Sequence, residues 1–383
     1  MDGCLSLQRM AKFLCIIFLA CSIPAFADIV NNEWYSSVRA LSMGNAVIAA
    51  ADNPVDAMFY NPAFLAKIKQ SQTSLELINP QIEMGLGNFS ISKDTSDILQ
   101  QRDLGKAAPL LDSDRNKGSY FNTAFYPNIS AQNFALGFLI RTETSAYVNG
   151  DSTELNYKSR YLMMPTLGLS AGLIGGRMKI GLAVRAIQIT ENDKKASQVS
   201  AASSTQAANY GTVDFQANPD EGFGFGLDAG MSLTLPWTAL PTIGVVARNI
   251  GDTSFPNKNP PFYSFGTGIT SRHDSIKSTY DIGFSIAPKL GRGSTFLLAA
   301  DYRDAMNRYD VNTLRRVNIG MELSFNKHFY LRLGARSGYW AAGIGISGQK
   351  ASLDFGSYAD ELHATDYQKI EDRRVAIRYG GRF

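Results

Sequence analysis

The chain has 383 residues, with 37 Lys and Arg against 34 Asp and Glu, for a formal net charge of +3. That near-balance gives no electrostatic case for nucleic-acid binding. The cysteines are Cys4, Cys15 and Cys21. All three sit at the extreme N-terminus, so the rest of the chain offers neither a disulfide framework nor a thiolate metal site.

The first 27 residues read as a secretory signal. Arg9 and Lys12 form a basic start, Phe13 to Cys21 an apolar core, and Ala25-Phe26-Ala27 a small-x-small cleavage pattern. The apolar run is too short for a membrane helix. Lipidation at Cys21 after Leu19-Ala20 is the alternative, although Phe18 stands where a leucine is usual. Removing the signal takes away Asp2, Arg9 and Lys12 and moves the net charge to +2. The remaining chain is aromatic-rich, and no run of about 18 apolar residues follows. An exported chain of that kind is a large β protein or an outer-membrane barrel.

Residues 38 to 66, VRALSMGNAVIAAADNPVDAMFYNPAFLA, have neither strand alternation nor the length of a membrane helix. Asn53 can cap a turn opened by Pro54, with Asp56 at the third helical position. Asn61-Pro62 can open a second turn through Leu65. Residues 28–70 are therefore expected to form a small helical plug in the lumen of the β-structure that follows. The competing arrangement is a helical pair packed on an ordinary soluble β domain.

From residue 71 to 383 the dominant signal is period two. In Phe223 to Leu235 one face is Phe223, Phe225, Leu227, Ala229, Met231, Leu233 and Leu235, while the other is mostly glycine and short polar residues. A membrane strand needs about 9 to 11 residues, and small residues on the second face suit a crowded lumen. Similar alternation recurs at 280–287, 317–325, 329–336 and 342–347. Arg185, Asp228, Arg248, Asp281, Asp301, Glu322, Arg332, Arg336 and Asp354 all take the face away from lipid. A charge at mid-bilayer on the lipid face costs roughly 2 to 4 kcal/mol, whereas a lumen tolerates it.

The expected fold is all-β, an antiparallel transmembrane β-barrel. Candidate strands lie at 73–78, 82–90, 118–126, 132–142, 158–171, 177–189, 222–235, 241–250, 261–270, 279–288, 294–303, 314–325, 328–337, 340–347, 350–358 and 373–382. Sixteen strands would put the polar stretch 190–221 on the same side as the short turns 326–327 and 348–349, which is the wrong side for a long loop. One strand around 261–288 is therefore overcounted, 73–90 can be a single bent strand, and the count stands at fourteen to sixteen. Long loops are expected near 91–117, partly helical in pattern, and 190–221. Trp237 and Trp340 adjoin strand ends, where an aromatic belt would lie. The terminal strand, with Val375, Ile377, Tyr379 and Phe383 on one parity, resembles the outer-membrane assembly signal of Gram-negative bacteria.

Arg39-Ala40-Leu41-Ser42-Met43-Gly44, Ala49-Ala50-Ala51-Asp52 and Met58-Phe59-Tyr60-Asn61-Pro62-Ala63 resemble the N-terminal hatch of the FadL-like outer-membrane proteins. That superfamily spans fatty-acid and hydrocarbon transporters, PorV-like secretion barrels and a conjugation-associated TraF-like branch. Arg248-Asn249-Ile250-Gly251-Asp252-Thr253, Ala300-Asp301-Tyr302-Arg303 and Leu331-Arg332-Leu333-Gly334 are similar to the PorV-like and TraF-like barrels. The chain departs from the hatch pattern at Asn45 and Phe64, where glycine is common. The resemblance implies fourteen strands in the bacterial outer membrane, with Asn61, Pro62 and Ala63 at the plug's constriction, and Phe64, which follows them, is taken as a plug residue with them.

Catalytic chemistry has little to stand on. His273, His328 and His363 are scattered without ligand spacing. There is no G-x-S-x-G elbow or Walker A loop, and Gly222, Gly224 and Gly226 lie within a strand. No metal or cofactor is expected. The first functional reading is passive uptake of a hydrophobic small molecule, with the early strands, such as Phe121 and Phe125, as candidate lining. The second is an anchor or adaptor for a secretion, conjugation or surface-protein partner. Outer-membrane lipid is the expected surrounding in both.

Overall fold

The computed structural model describes residues 33–69, 73–89, 118–148, 154–197, 220–256, 262, 271–272, 274–291, 293–362 and 367–382. The signal sequence, Cys21, the 91–117 stretch and residues 198–219 of the second long stretch lie outside the described residues. So do His273, His363 and all of the 261–270 candidate strand except Phe262.

The strands form one closed antiparallel sheet of fourteen. Strand β1 is Ser74–Ile78 and Pro80–Gly85, bent at Asn79, and β2 is Gly118–Phe125 and Asn128–Ala131, bent at Tyr126-Pro127. Then follow β3 (Phe134–Val148), β4 (Glu154–Leu173), β5 (Met178–Ser197), β6 (Asp220–Thr234) and β7 (Thr242–Arg248). The second half comprises β8 (Thr279–Ile286), β9 (Ser294–Tyr302), β10 (Val317–Phe325), β11 (Phe329–Arg336), β12 (Tyr339–Ser347), β13 (Ala351–Glu361) and β14 (Glu371–Arg382). Neighbours in sequence pair with one another, and β14 closes on both halves of β1. A two-residue piece, Ser271–Arg272, runs parallel to the start of β6.

The count of sixteen is corrected at two places. The candidates at 73–78 and 82–90 are halves of one strand. At its bend the Asn79 side chain substitutes for the ladder, accepting from the Tyr126 amide at 2.8 Å and donating to the Tyr126 carbonyl. Pro80 and Pro127 have no amide to donate there. Strand β7 pairs directly with β8, from Thr242↔Ser285 to Arg248↔Thr279, so no strand stands between them. With fourteen strands the connection from β5 to β6 leaves the end opposite the 326–328 and 348–350 turns. The conflict over sides disappears.

Side chains alternate between lipid and lumen. Leu169, Leu182, Phe225, Phe284, Ile319 and Leu333 are among the exposed apolar residues of the outer face, and their cross-strand neighbours continue the band around the barrel. Exposed Trp237, in the turn after β6, and exposed Trp340, at the start of β12, lie at opposite ends of it. Arg373 stacks on the Trp340 ring at 3.8 Å and donates to its carbonyl at 2.8 Å.

Inside the barrel lies the segment that precedes β1. Helix α1 (Val38–Ser42) starts where the Ser37 hydroxyl accepts from the Ala40 amide at 3.1 Å. Helix α2 (Pro54–Tyr60) is capped by Asn53, whose side chain accepts from the Asp56 amide at 2.8 Å. A 3-10 helix, Pro62–Lys67, follows with Asn61 accepting from the Ala63 amide at 3.1 Å. These caps satisfy amides that short helices leave open. The soluble-domain alternative is excluded, because these helices are enclosed by the sheet. Helix α1 rests on β11–β14, and the 3-10 helix lies across the lumen on β3–β6.

Candidate functional site: the plugged lumen

The wall meets the plug through glycine. A Cβ placed on Gly181 would overlap the Pro62 carbonyl and the Ala63 amide, and one on Gly230 would overlap the Asn61 side chain. A Cβ on Gly244 would lie 2.7 Å from the Ile48 carbonyl, and one on Gly320 would lie 2.9 Å from Met43 Cβ. The glycines on the inner faces of β5, β7 and β10 thus let plug backbone lie directly on wall backbone, and the one on β6 admits the Asn61 side chain.

Charge fixes the plug where glycine admits it. Helix α2 ends with carbonyls that no turn of its own satisfies. Wall arginines supply the donors. Arg185 donates to the Met58 carbonyl at 2.8 Å, and Arg248 to the Phe59 and Tyr60 carbonyls at 2.7 and 3.3 Å. Cations at a helix C-terminus also suit its dipole. Each arginine is held by a carboxylate on the neighbouring wall: Asp228 lies 2.6 Å from Arg185, and Asp281 lies 2.6 Å from Arg248. The opposite polarity operates at the 43–50 turn. There Asp301 accepts from the amides of Val47 and Ile48 at 2.7 and 2.9 Å.

A second cluster centres on Arg39 of α1. Its guanidinium contacts Asp56 of α2 at 2.8 Å and Glu322 of β10 at 2.9 Å. Glu322 also accepts from Arg332 at 2.7 Å, and Arg332 reaches Asp354 at 2.6 Å. Of the lumen charges expected from the sequence, these two networks take Arg185, Asp228, Arg248, Asp281, Asp301, Glu322, Arg332 and Asp354. Arg336 stands apart, paired with Asp360 at 3.2 Å. All nine are turned away from lipid.

Several residues of these networks are not among the lumen charges expected from the sequence. Arg303, just after β9, contacts Asp281 at 3.1 Å and donates to the Asn45 carbonyl at 2.8 Å. Arg374 and Arg378 of β14 pair with Asp360 and Glu76. Their even parity, opposite to Val375, Ile377 and Tyr379, is the signal that marks them as lumen residues. Arg39 stands in the hatch motif and Asp56 at the third position of α2, but nothing local pairs them with each other or with Glu322.

Asn61, Pro62, Ala63 and Phe64 sit together against β4–β7. All four are buried. Beyond capping the 3-10 helix, Asn61 donates to the Ile48 carbonyl at 3.0 Å and to the Met231 carbonyl of β6 at 3.2 Å. It ties plug to plug and plug to wall. Leu65, next along, accepts at its carbonyl from the Asn133 amide in the β2–β3 turn at 3.3 Å. This places the 3-10 helix at the short-turn, periplasmic end.

Between Arg185 of β5 and Arg141 of β3, which donates to the Glu33 and Trp34 carbonyls at 3.1 and 3.2 Å, the inner faces of β2–β5 carry Ala124, Tyr126, Ala135, Leu139, Leu162, Met164, Ala183, Ile187 and Ile189, all buried. With Met58, Phe59, Phe64 and Leu65 of the plug they form one apolar cluster. Phe59 packs edge-on against Tyr126 at 4.9 Å and against Tyr35 at 5.1 Å. Phe121 and Phe125, expected as lining, are corrected here. Phe121 is 42% exposed on the outer face. Phe125 shares its parity, and the lining of β2 comes from the even residues between them.

At the outer mouth the connection after β7 turns inward. Asn249, Gly251 and Asp252 adopt positive φ of 48°, 84° and 59°. The Asn249 amide donates to Asp228 at 2.9 Å. The Asp252 carboxylate accepts from the Ser278 amide at 2.6 Å. That amide, with the Arg308 guanidinium beside it, holds the carboxyl below the usual carboxylate range. Among the described residues no group of three or more His, Cys, Asp and Glu could hold a metal ion. His328 is exposed in the β10–β11 turn.

A closed barrel with an apolar outer band and a plugged lumen is an outer-membrane β-barrel. Among solved structures, the fold is shared with CymD, a monoaromatic hydrocarbon channel, at a TM-score of 0.54 and 10% identity, covering 92% of this chain and 98% of that one. It is shared also with TodX, the Pseudomonas putida toluene transporter, at a TM-score of 0.51 and 10% identity, covering 92% and 99%. These are FadL-like barrels, and this chain has their fold. No protein-family model and no curated protein matches the sequence.

Proposed function

We propose that this chain is a passive uptake barrel for a neutral hydrophobic small molecule, which passes between the plug and the β2–β5 wall. The observation that carries this is a buried apolar seam on that wall. Between Arg141 of β3 and Arg185 of β5, which both donate to plug carbonyls, the wall meets the plug through apolar contacts that a hydrophobic ligand can replace. The fold shared with a hydrocarbon channel and a toluene transporter supports the same reading. Asn61 to Phe64 close the periplasmic end of that route, with Phe64 and Leu65 as its lower seal. The chemistry required is binding and release rather than bond making, so no residue is assigned a catalytic role.

The test is toluene uptake by cells expressing the barrel, compared with cells lacking it. Leu139→Asn places an amide in the middle of the apolar seam, where burying it costs about 1 to 3 kcal/mol. We expect uptake to fall roughly tenfold while the barrel still folds. Uptake independent of the barrel, together with a stoichiometric protein retained after gentle detergent extraction, would replace this reading with that of an adaptor.

A further inference from the structure

Phe255 is fully buried, although it belongs to a connection at the outer mouth. Its ring lies against the inner face of β6 at Gly222 and Gly224. A Cβ on Gly222 would sit 2.7 Å from Phe255 Cβ and 3.0 Å from its Cδ1, and one on Gly224 would overlap the Ser254 carbonyl and sit 3.1 Å from Cδ1. Across the β5–β6 ladder these glycines face Ile189 and Ile187, both buried on the same side of the sheet. Two glycines make the floor of a slot and two isoleucines flank it. Glycine weakens a strand interior, and it often marks a place where another group must approach closely. Here those groups are the phenyl ring of Phe255 over Gly222 and the Ser254 carbonyl, with the ring's edge, over Gly224.

We propose that this slot is a binding subsite for a neutral, flat ring of benzene size, and that Phe255 occupies it in the ligand's place. The assignment rests on the uptake reading above and names the ligand class of its outermost step. Three observations support it. First, the slot is continuous with the apolar seam, because Phe255, Ile187 and Ile189 belong to the same cluster as Leu139, Leu162 and Phe64. Second, among the described residues the four that shape the slot, Gly222, Gly224, Ile187 and Ile189, carry no polar side chain, so a charged head group would find no side-chain partner in them. Third, the segment bearing Phe255 is fastened at the rim by polar contacts that water can replace. Thr253 and Ile276 exchange backbone bonds of 2.8 and 2.9 Å, and exposed Arg308 contacts Asp252 at 3.2 Å.

A ligand competing with a built-in ring binds with an affinity reduced by the fraction of molecules whose slot is open. Phe255→Ala should therefore tighten toluene binding by roughly tenfold. The decisive experiment puts 4-fluorophenylalanine at position 255 of the full chain, folded in detergent, and follows its fluorine resonance as toluene is added. We expect the buried resonance to give way saturably to a solvent-exposed one, while octanoate at equal concentration leaves it in place. Gly224→Val should fill the slot, so that the ring is exposed before any toluene arrives. Gly222→Ala serves as the milder second variant if the first does not fold. A resonance that stays buried at saturating toluene, in barrels shown to be folded, overturns the subsite. Toluene uptake in cells separates this from the broader reading. Barrel-dependent uptake with a ring that never moves removes the subsite and keeps uptake. A displaced ring without barrel-dependent uptake keeps the subsite and removes the uptake reading.

Discussion

At the residue scale, the lumen charges act as caps and clamps. Arg39 shows what that requires. It is buried between Asp56 of its own segment and Glu322 of the wall, so its removal leaves Asp56 without its cation while Glu322 keeps Arg332. Breaking one partner out of a buried ion pair costs about 3 to 5 kcal/mol, because the remaining charge stays desolvated. Arg39→Met should therefore strip hydrogen-exchange protection from the amides of α1 and α2. The β-strand amides should keep theirs. Equal loss in both would show that the pair holds the barrel rather than the plug. The cap at Asp301 makes the complementary case: Asp301→Asn retains one acceptor oxygen for the Val47 and Ile48 amides, so its effect should be the smaller.

At the scale of elements, the inner glycines are the feature with the clearest consequence. Gly181→Val would drive side-chain atoms into the Pro62 carbonyl. Overpacking of that kind costs about 1 to 3 kcal/mol, and the easier relief is for the 3-10 helix to lift from the wall. Single-channel recordings in planar bilayers should show raised conductance for Gly181→Val. Gly172→Ala is the control, since its Cβ would meet nothing nearer than 3.8 Å and should leave conductance unchanged. These elements also show how far the sequence could be read. In β6 and β8–β14, glycine and charge on one parity and bulky apolar residues on the other make the lumen face plain before any coordinates. In β2 and the first half of β3 several lumen residues are themselves apolar, so Leu136, Phe138 and Ile140 outside look no different from Ala135 and Leu139 inside. For the same reason local pattern does not separate the outward Phe121 and Phe125 from lumen lining. The partners of Arg39 and Asp301 were illegible for another reason. Those contacts join positions 283 and 254 residues apart, and no local pattern encodes them.

At the scale of the whole molecule, fourteen strands fix which turns face which compartment. Gln349 lies exposed in the β12–β13 turn and Met306 lies exposed in the β9–β10 connection, at opposite ends of the barrel. The wild-type cysteines all precede residue 22, so single-cysteine variants can be read cleanly. A membrane-impermeant maleimide should label Met306→Cys in intact cells. It should label Gln349→Cys only once the outer membrane is permeabilised, and the reverse pattern would invert the barrel. The tight seating of the plug bears finally on the order of assembly. Its backbone touches wall backbone at glycines on β5, β7 and β10, and its ion pairs reach strands synthesised long after it. Such long-range contacts form late and slowly. A finished cylinder would have to admit a folded insert through a mouth already crossed by Phe255, and with its own arginines and carboxylates stranded until the insert arrived. The sheet must instead curl around residues 33–69, which serve as the mandrel on which the last seam, β14 to β1, is closed.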